Sequence, residues 1–365
     1  MPHFITPSLR TRRTPFSRWV EQKGVKAYTV YNHMLLPTLF ESLEEDCAHL
    51  KRAVQVWDVS AQRQVELKGC HAERLLQMTT PRNLARMRDD QCCYVPMVSP
   101  DGYMLNDPVV IRLAPDRFRV SLADSDMLFY FKGLVAGFGL DVAVFEPDVS
   151  PLAIQGPLAN DLAAKLWGDK VRDLRFFRHM KVDVGGKGML LARSGWSKQG
   201  GFELYLDGAE YAEDLWKRLF EAGEGMDLRA GCPNGIERIE SGLLSFGNDM
   251  TLSDTPQQAG LGRYVQDVPG CLANDALKAM ARPMRIIRAV EIAAHDIPGC
   301  VSPWPLWMQG KRVGEIRSAA YSPEFEIGVA IAMIDAPAWS PGTLLQVEGP
   351  GDEWLEATVR PGFWR

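Results

Sequence analysis

Residues 93–124 read CYVPMVSPDGYMLNDPVVIRLAPDRFRVSLAD, and this stretch decides the fold class. Short apolar runs are separated by Pro100-Asp101-Gly102, Asn106-Asp107-Pro108 and Ala114-Pro115-Asp116, which are turn signals between antiparallel strands. A meander follows. Upstream, residues 54–69 (VQVWDVSAQRQVELKG) alternate like a strand pair, and CHAERLLQMTT after them carries helical spacing at Leu75, Leu76 and Met78. Downstream, helical spacing returns at 126–138 and at 158–167, and a further strand pair spans roughly 181–207 with a glycine-rich break. Strands and helices are interspersed without a regular parallel βαβ series, so the class is α+β. Residues 27–40 are too irregular for a clean element, and Pro37 interrupts them, so they read as a packed loop. After residue 283 short strands alternate with Gly and Pro turns, as in a small β-barrel. The expected division is 1–282 and 283–365.

The bulk composition limits what such a chain does. Its 365 residues are 46% hydrophobic and 24% charged, enough for two or three domains with sizeable cores. Forty-one basic against 46 acidic residues give a net charge of −5, so no nucleic-acid or membrane-surface partner is implied. Small-molecule substrates are expected, and a homodimer is left open. The seven cysteines lack CxxC spacing and the six histidines are scattered, which suggests neither disulfides nor a metal site. The N-terminal stretch has arginines but no apolar run of the kind a signal peptide needs, and no segment has the ~18 apolar residues of a membrane span. A cytoplasmic location is the expectation.

Chemistry concentrates in residues 193–208, RSGWSKQGGFELYLDG. If 201–207 is extended, Phe202, Leu204 and Leu206 alternate with Glu203, Tyr205 and Asp207, setting a carboxylate and a phenol opposite an apolar face. A carboxylate accepts two parallel N–H bonds from a guanidine-like ring edge, so this face suits a polar heterocycle; the ordinary alternative is a solvent-exposed face. The preceding loop has neither GxxxxGK[ST] nor GxGxxG spacing, so phosphate is not indicated. Trp196, between glycines, is placed to line a pocket, and its ring face would attract a cation. Asp107 lies in a turn-forming Asn-Asp-Pro, and an ionised carboxylate there would draw a cationic substrate or accept a proton. Ile236, Ile239 and Leu243 have helical spacing, with Asn234 as N-cap and Gly247 as C-cap. Arg238 and Glu240 lie off that stripe, where a solvated face is the plain reading, although an arginine can hold a carboxylate tail. Tyr28, Tyr31, Trp57 and Tyr94 enrich the first third in amphipathic aromatics.

Taken in order, VWDVSAQRQVELKG, LLQMTTPRNL, YVPMVSPDGYMLNDPVVIRL, LAIQGP, GGFELYL, ERIESGLLSFGNDM and GEIRSAAYSPEFEIGVAIAMI resemble the folate-binding aminomethyltransferase family, the glycine-cleavage T-protein group. The resemblance runs over nearly the whole chain. It implies a core of two intertwined α+β subdomains with a C-terminal β-barrel, and tetrahydrofolate in a central channel. Glu203 matches the family's pterin-contacting residue, Arg238 the arginine of its R-x-E helix, also near folate, and Asp107 its acid. The T-protein pattern usually has paired aspartates where this chain has Asn106-Asp107, which argues against aminomethyl chemistry. KAYTVYNHMLLP, ARSGWSKQGGFELY and GCPNGIERIESGLLSFGND are similar to a branch that demethylates dimethylsulfoniopropionate.

The reaction this implies suits the residues. A sulfonium is already an activated methyl donor, so the enzyme must chiefly align the methyl with folate N5, and such alignment supplies up to ~7 to 11 kcal/mol in well-oriented systems. The expected catalytic residues are Asp107, Trp196 and Tyr205; folate is assigned to Glu203, Tyr205, Arg238 and Tyr94, and the sulfonium to Tyr31, Trp196 and Phe246. Other donors on the same scaffold are a betaine, an N-methylglycine or an aryl methyl ether. A non-catalytic folate-binding protein would need KGC-[FY]-x-G-Q-E, but Lys68-Gly69-Cys70 continues as His71-Ala72-Glu73. A thiol nucleophile at Cys92, Cys93 or Cys232 is the remaining reading, with structural thiols the commoner case.

Overall fold

The computed structural model describes residues 5, 6 and 8–365. In chain order the elements are α1 Ser17–Gln22, β1 Ala27–Tyr31, β2 Met34–Leu39, α2 Leu43–Arg52, β3 Val54–Asp58, β4 Arg63–Lys68, α3 Ala72–Thr79, β5 Cys92–Tyr94, β6 Met97–Val98, β7 Met104–Asn106, β8 Val109–Ala114, β9 Arg117–Leu122, α4 Met127–Phe138, β10 Ala143–Phe145, β11 Val149–Gln155 and α5 Ala159–Trp167. They continue with β12 His179–Val184, β13 Lys187–Ala192, β14 Gly201–Asp207, α6 Ala212–Ala222, β15 Leu228–Gly231, α7 Gly235–Ser241 and α8 Asn274–Ala279. Six strands follow: β16 Arg285–Ile292, β17 Trp304–Met308, β18 Lys311–Ser322, β19 Ile327–Asp335, β20 Leu344–Glu348 and β21 Trp354–Val359.

The expected α+β architecture is borne out. One six-stranded sheet runs β12-β13-β14-β11-β3-β15, a five-stranded sheet runs β10-β4-β9-β8-β5, and β16 to β21 close into a barrel. The meander of residues 93–124 supplies β8 and β9, paired antiparallel, with β5 beside β8. On β14 the alternation sorts side chains as anticipated, but both faces are covered. Phe202, Leu204 and Leu206 pack with Leu162, Leu215 and Leu219 of α5 and α6, while Tyr205 packs with Cys92 and Ile111 of the other sheet. The solvent-exposed alternative therefore fails: Glu203 is 6% exposed and Tyr205 1%.

Four local expectations are corrected. Residues 27–39 form a hairpin, not a loop: Tyr31 pairs with Met34 across Asn32 and His33, both with positive φ (49° and 62°), the geometry a tight two-residue turn demands. Pro37 sits within β2 opposite Tyr28 in this two-stranded sheet, where a missing donor is tolerated. The strands of 54–69 do not pair with each other, because β3 joins β11 and β15 while β4 joins β9 and β10. Three strands, rather than a pair, occupy 179–207. The helix capped by Asn234, whose side chain accepts from the Ile236 and Glu237 N–H groups, ends at Ser241 with Gly242 left-handed (φ 66°), not at Gly247.

The barrel docks on α7 through buried charges. Glu240, expected on a solvated face, is fully buried and accepts from Lys51 Nζ (2.6 Å), Ser322 Oγ (2.6 Å) and Arg365 Nε (3.2 Å). Such satisfaction is what lets a carboxylate leave water. Among the described residues no helix is long and apolar enough to cross a membrane.

Candidate functional site

The barrel and the loop entering β14 meet at α7, where Ser318 and Trp196 both contact Arg238. β14 carries Glu203 and Tyr205 on the face turned toward the five-stranded sheet, and the loop entering β14 carries Trp196. That loop is bent by Gly195 and Gly201, at φ 151° and 146°; a Cβ at either would sit 2.1 Å from Gln155 Nε2 or the Ile154 carbonyl oxygen. No side chain fits there. Glu237 of α7 then pins the loop, accepting from the Lys198 N–H at 2.9 Å and the Gln199 amide at 3.3 Å. Trp196 is left half-buried with the Arg238 guanidinium 5.7 Å from its ring centroid. One face of the indole thus already holds a cation.

Glu203 is a buried carboxylate with little compensation. Ser194 Oγ donates to it, and no cation lies within ion-pair distance among the described residues. Burial pushes its carboxyl above the usual glutamate range, and the Ser194 hydrogen bond opposes that only in part. The Tyr205 hydroxyl is buried and makes no hydrogen bond of good geometry among the described residues, although the Ser121 hydroxyl lies close to it, and burial keeps it protonated. These are groups that a ligand with paired N–H donors and an acceptor would satisfy.

A second cluster forms around Asp107, just past β7. The Tyr94 hydroxyl donates to Asp107 Oδ2 at 3.0 Å. Burial pushes the Asp107 carboxyl up to about 7, the Tyr94 hydrogen bond holds it down, and the negative charge of Asp249 adds to the rise. Tyr31 and Tyr94 are both raised, by burial first and then by Asp107, so their hydroxyls remain donors. Tyr94 packs edge-on against Tyr264 at 5.7 Å and shares a cluster with Phe246. Tyr94→Phe removes the donor that favours the ionised form, so the proton affinity of Asp107 rises by about tenfold, the worth of one hydrogen bond to a charged group. Carbon-labelled aspartate NMR reads that titration directly, and an unmoved midpoint would contradict it.

The expected residues thus fall into two groups, Tyr31, Tyr94, Asp107 and Phe246 in one and Trp196 with Arg238 in the other, while Glu203 and Tyr205 lie on the sheet face. Reading the sequence missed Ser194, Glu237, Asp249 and Tyr264. Asp249 stands in the quoted FGNDM and Glu237 beside Arg238, but nothing in their spacing foretells burial. The thiol reading loses ground, because burial raises Cys92, Cys93 and Cys232 and keeps them from the nucleophilic thiolate.

Comparison with known families adds the deciding observation. The GCVT N-terminal domain matches residues 16–267, and the glycine cleavage T-protein C-terminal barrel domain matches 290–363. The chain belongs to the glycine-cleavage T-protein family. It is 53% identical to dimethylsulfoniopropionate demethylase DmdA of Ruegeria pomeroyi, over 99% of both chains. It is 26% identical to an aminomethyltransferase of Halalkalibacterium halodurans, over 97% of this chain and 98% of that one. The crystal structure of glycine cleavage system aminomethyltransferase T from Bartonella henselae superposes with a TM-score of 0.87, at 21% identity, covering 97% and 98% of the two chains, and so shares the fold. In this T-protein family member, α7 and the loop after it are where the N-terminal domain meets the barrel, and both candidate groups touch that seam.

Proposed function

We propose that this protein moves a methyl group from the sulfonium of dimethylsulfoniopropionate to N5 of tetrahydrofolate, giving 5-methyltetrahydrofolate and 3-methylthiopropionate. The observation that carries this reading is the 53% identity over 99% of both chains with a demethylase of that substrate. The protein is a methyltransferase, and tetrahydrofolate is its co-substrate, supplying the nucleophilic N5. The site fits such a group: a buried carboxylate without a cation, beside a phenol that makes no hydrogen bond of good geometry among the described residues, suits the N–H edge of a pterin.

In this reading Glu203 accepts from the pterin, Tyr205 and Tyr94 wall the folate pocket, and Arg238 offers its charge near the folate. Tyr31, Trp196 and Phe246 give the sulfonium an aromatic surround, with Trp196 using the ring face away from Arg238. Asp107, with its carboxyl near 7, is partly ionised at neutral pH, and so attracts the cation or receives the proton that N5 loses. Alignment does the larger share of the work, since the sulfonium is already a good leaving group. We assign residues 1–282 to the catalytic region and 283–365 to the barrel, and place the protein in the cytoplasm.

Anaerobic incubation with tetrahydrofolate and dimethylsulfoniopropionate, each omitted in turn, tests the reaction by mass spectrometry of both products. Equal amounts of the two are expected, and no turnover with folate still bound would transfer the reading to another methyl donor. Trp196→Ala raises KM for the donor about tenfold, within the ~0.5 to 2 kcal/mol of a cation–aromatic contact, and leaves the folate dissociation constant nearly unchanged. Unaltered donor kinetics in that variant would remove Trp196 from the donor pocket.

A further inference from the structure

Arg238 does not hold its place unaided. Its Nη1 donates to Asp249 Oδ2 at 2.6 Å and its Nη2 to Ser318 Oγ at 2.6 Å. Ser318 Oγ in turn donates to Asp249 Oδ1 at 2.5 Å, so the three side chains close a ring of hydrogen bonds. Asp249 is fully buried and Ser318 is 5% exposed, which makes the arrangement a rigid one rather than a surface ion pair. Asp249 also accepts from the Ser245 N–H at 2.8 Å, fixing the turn that carries Phe246.

Ser318 comes from the barrel, and it reaches Arg238 because β18 is irregular there. The register of β18 against β19 shifts between Ile316 and Ser318, inserting Arg317 as an extra residue. Such a bulge re-aims side chains locally. Arg317 uses the bend to pair with Asp254 and to donate to the Asp249 carbonyl oxygen at 2.9 Å, so two successive barrel side chains grip the loop 245–254. The far end of this chain of contacts is the Trp196 ring, over which the Arg238 guanidinium lies.

We propose that Ser318 and Asp249 are positioning residues for the methyl-transfer site, locking the Arg238 guanidinium against Trp196 so that the barrel completes a pocket whose other walls belong to the N-terminal domain. A free arginine samples many rotamers, and each must be frozen when ligand binds; here that ordering is done in advance. Neither residue touches the reacting atoms. Both act through Arg238.

The inference rests on the folate-dependent reading, and the test separates the two. Ser318→Ala in the full-length protein is expected to raise KM and the calorimetric dissociation constant for tetrahydrofolate about tenfold, with kcat within twofold of wild type and a thermal midpoint lowered by a few degrees, as the loss of buried hydrogen bonds requires. Ser318→Thr, which keeps the hydroxyl, restores both. In an Arg238→Met background Ser318→Ala adds no further loss in the dissociation constant, because its only route is gone. If Ser318→Ala loses its unfolding transition, Ser318→Cys carries the same comparison at conserved volume. Equal folate affinity in wild type and Ser318→Ala, or an equal loss with and without Arg238, would overturn the positioning role while leaving the reaction standing. A wild type that binds no tetrahydrofolate would overturn both.

Discussion

Glu203→Gln weakens tetrahydrofolate binding by roughly 10- to 100-fold and leaves the ligand-free protein at least as stable as wild type. The carboxylate is 6% exposed, faces no cation among the described residues and has one hydroxyl donor. Its hydrogen bonds to a ligand's N–H pair are charge-assisted, worth about 1.5 to 3 kcal/mol where neutral ones are worth about 1. Glutamine keeps the shape, surrenders the charge and offers an N–H where an acceptor is wanted. The stability sign runs opposite to the binding sign. A carboxyl whose folded-state value is raised contributes stability below its ordinary value, and that contribution is lost as the pH rises toward the folded-state value. At neutral pH, above the ordinary glutamate value, the buried Glu203 acid is therefore a cost to the empty protein, which glutamine relieves. Calorimetric titration with tetrahydrofolate and a melting curve at neutral pH check the two halves, and undiminished affinity would show that Glu203 does not face the pterin.

Asp254→Ala is expected to destabilise the protein by about 3 kcal/mol, the low end of what breaking a buried ion pair costs. Arg317 and Asp254 meet at 2.5 Å with side chains 6% and 1% exposed, and Asp254 also accepts from the Thr251 N–H and hydroxyl, each at 2.9 Å. Removing the carboxylate strands a guanidinium in the seam between barrel and N-terminal domain. Glu315, 3.0 Å from Arg317, softens the loss without abolishing it. Replacing both partners with apolar residues, Arg317→Met with Asp254→Leu, recovers much of the stability, since no charge then lies buried unpaired. Urea unfolding of the three proteins decides the matter, and a midpoint for Asp254→Ala equal to wild type would mean that the seam is wet.

What could be read along the chain was what local chemistry writes. The turns at Pro100-Asp101-Gly102 and Ala114-Pro115-Asp116, the Asn234 cap and the alternation of Gly201–Asp207 all depend on residues a few positions apart, and all formed, whereas Asn106-Asp107-Pro108 links β7 to β8 of a different sheet without a turn. The hairpin at 27–39 escaped because its turn uses Asn32 and His33 at positive φ rather than a glycine signal. The split of β3 and β4 escaped because alternation announces a strand without naming its partner. Arg238 and Glu240 looked like surface residues, since the groups that neutralise Glu240 lie 82 to 189 residues away.

The same division holds at the site. Period-two geometry alone put Glu203 and Tyr205 on one face of a strand, and a collinear series of motifs placed the chain in its family. Only the tertiary structure made that face an interior: the five-stranded sheet covers it, which dries Glu203 and raises its carboxyl. Only the tertiary structure brought Asp249 and Ser318 to Arg238 and Tyr94 to Asp107. The physical reason is one of range. Turns, caps and strand faces are set by backbone sterics between near neighbours, whereas the cost of a buried charge depends on every group around it, and packing brings those groups in from distant parts of the chain.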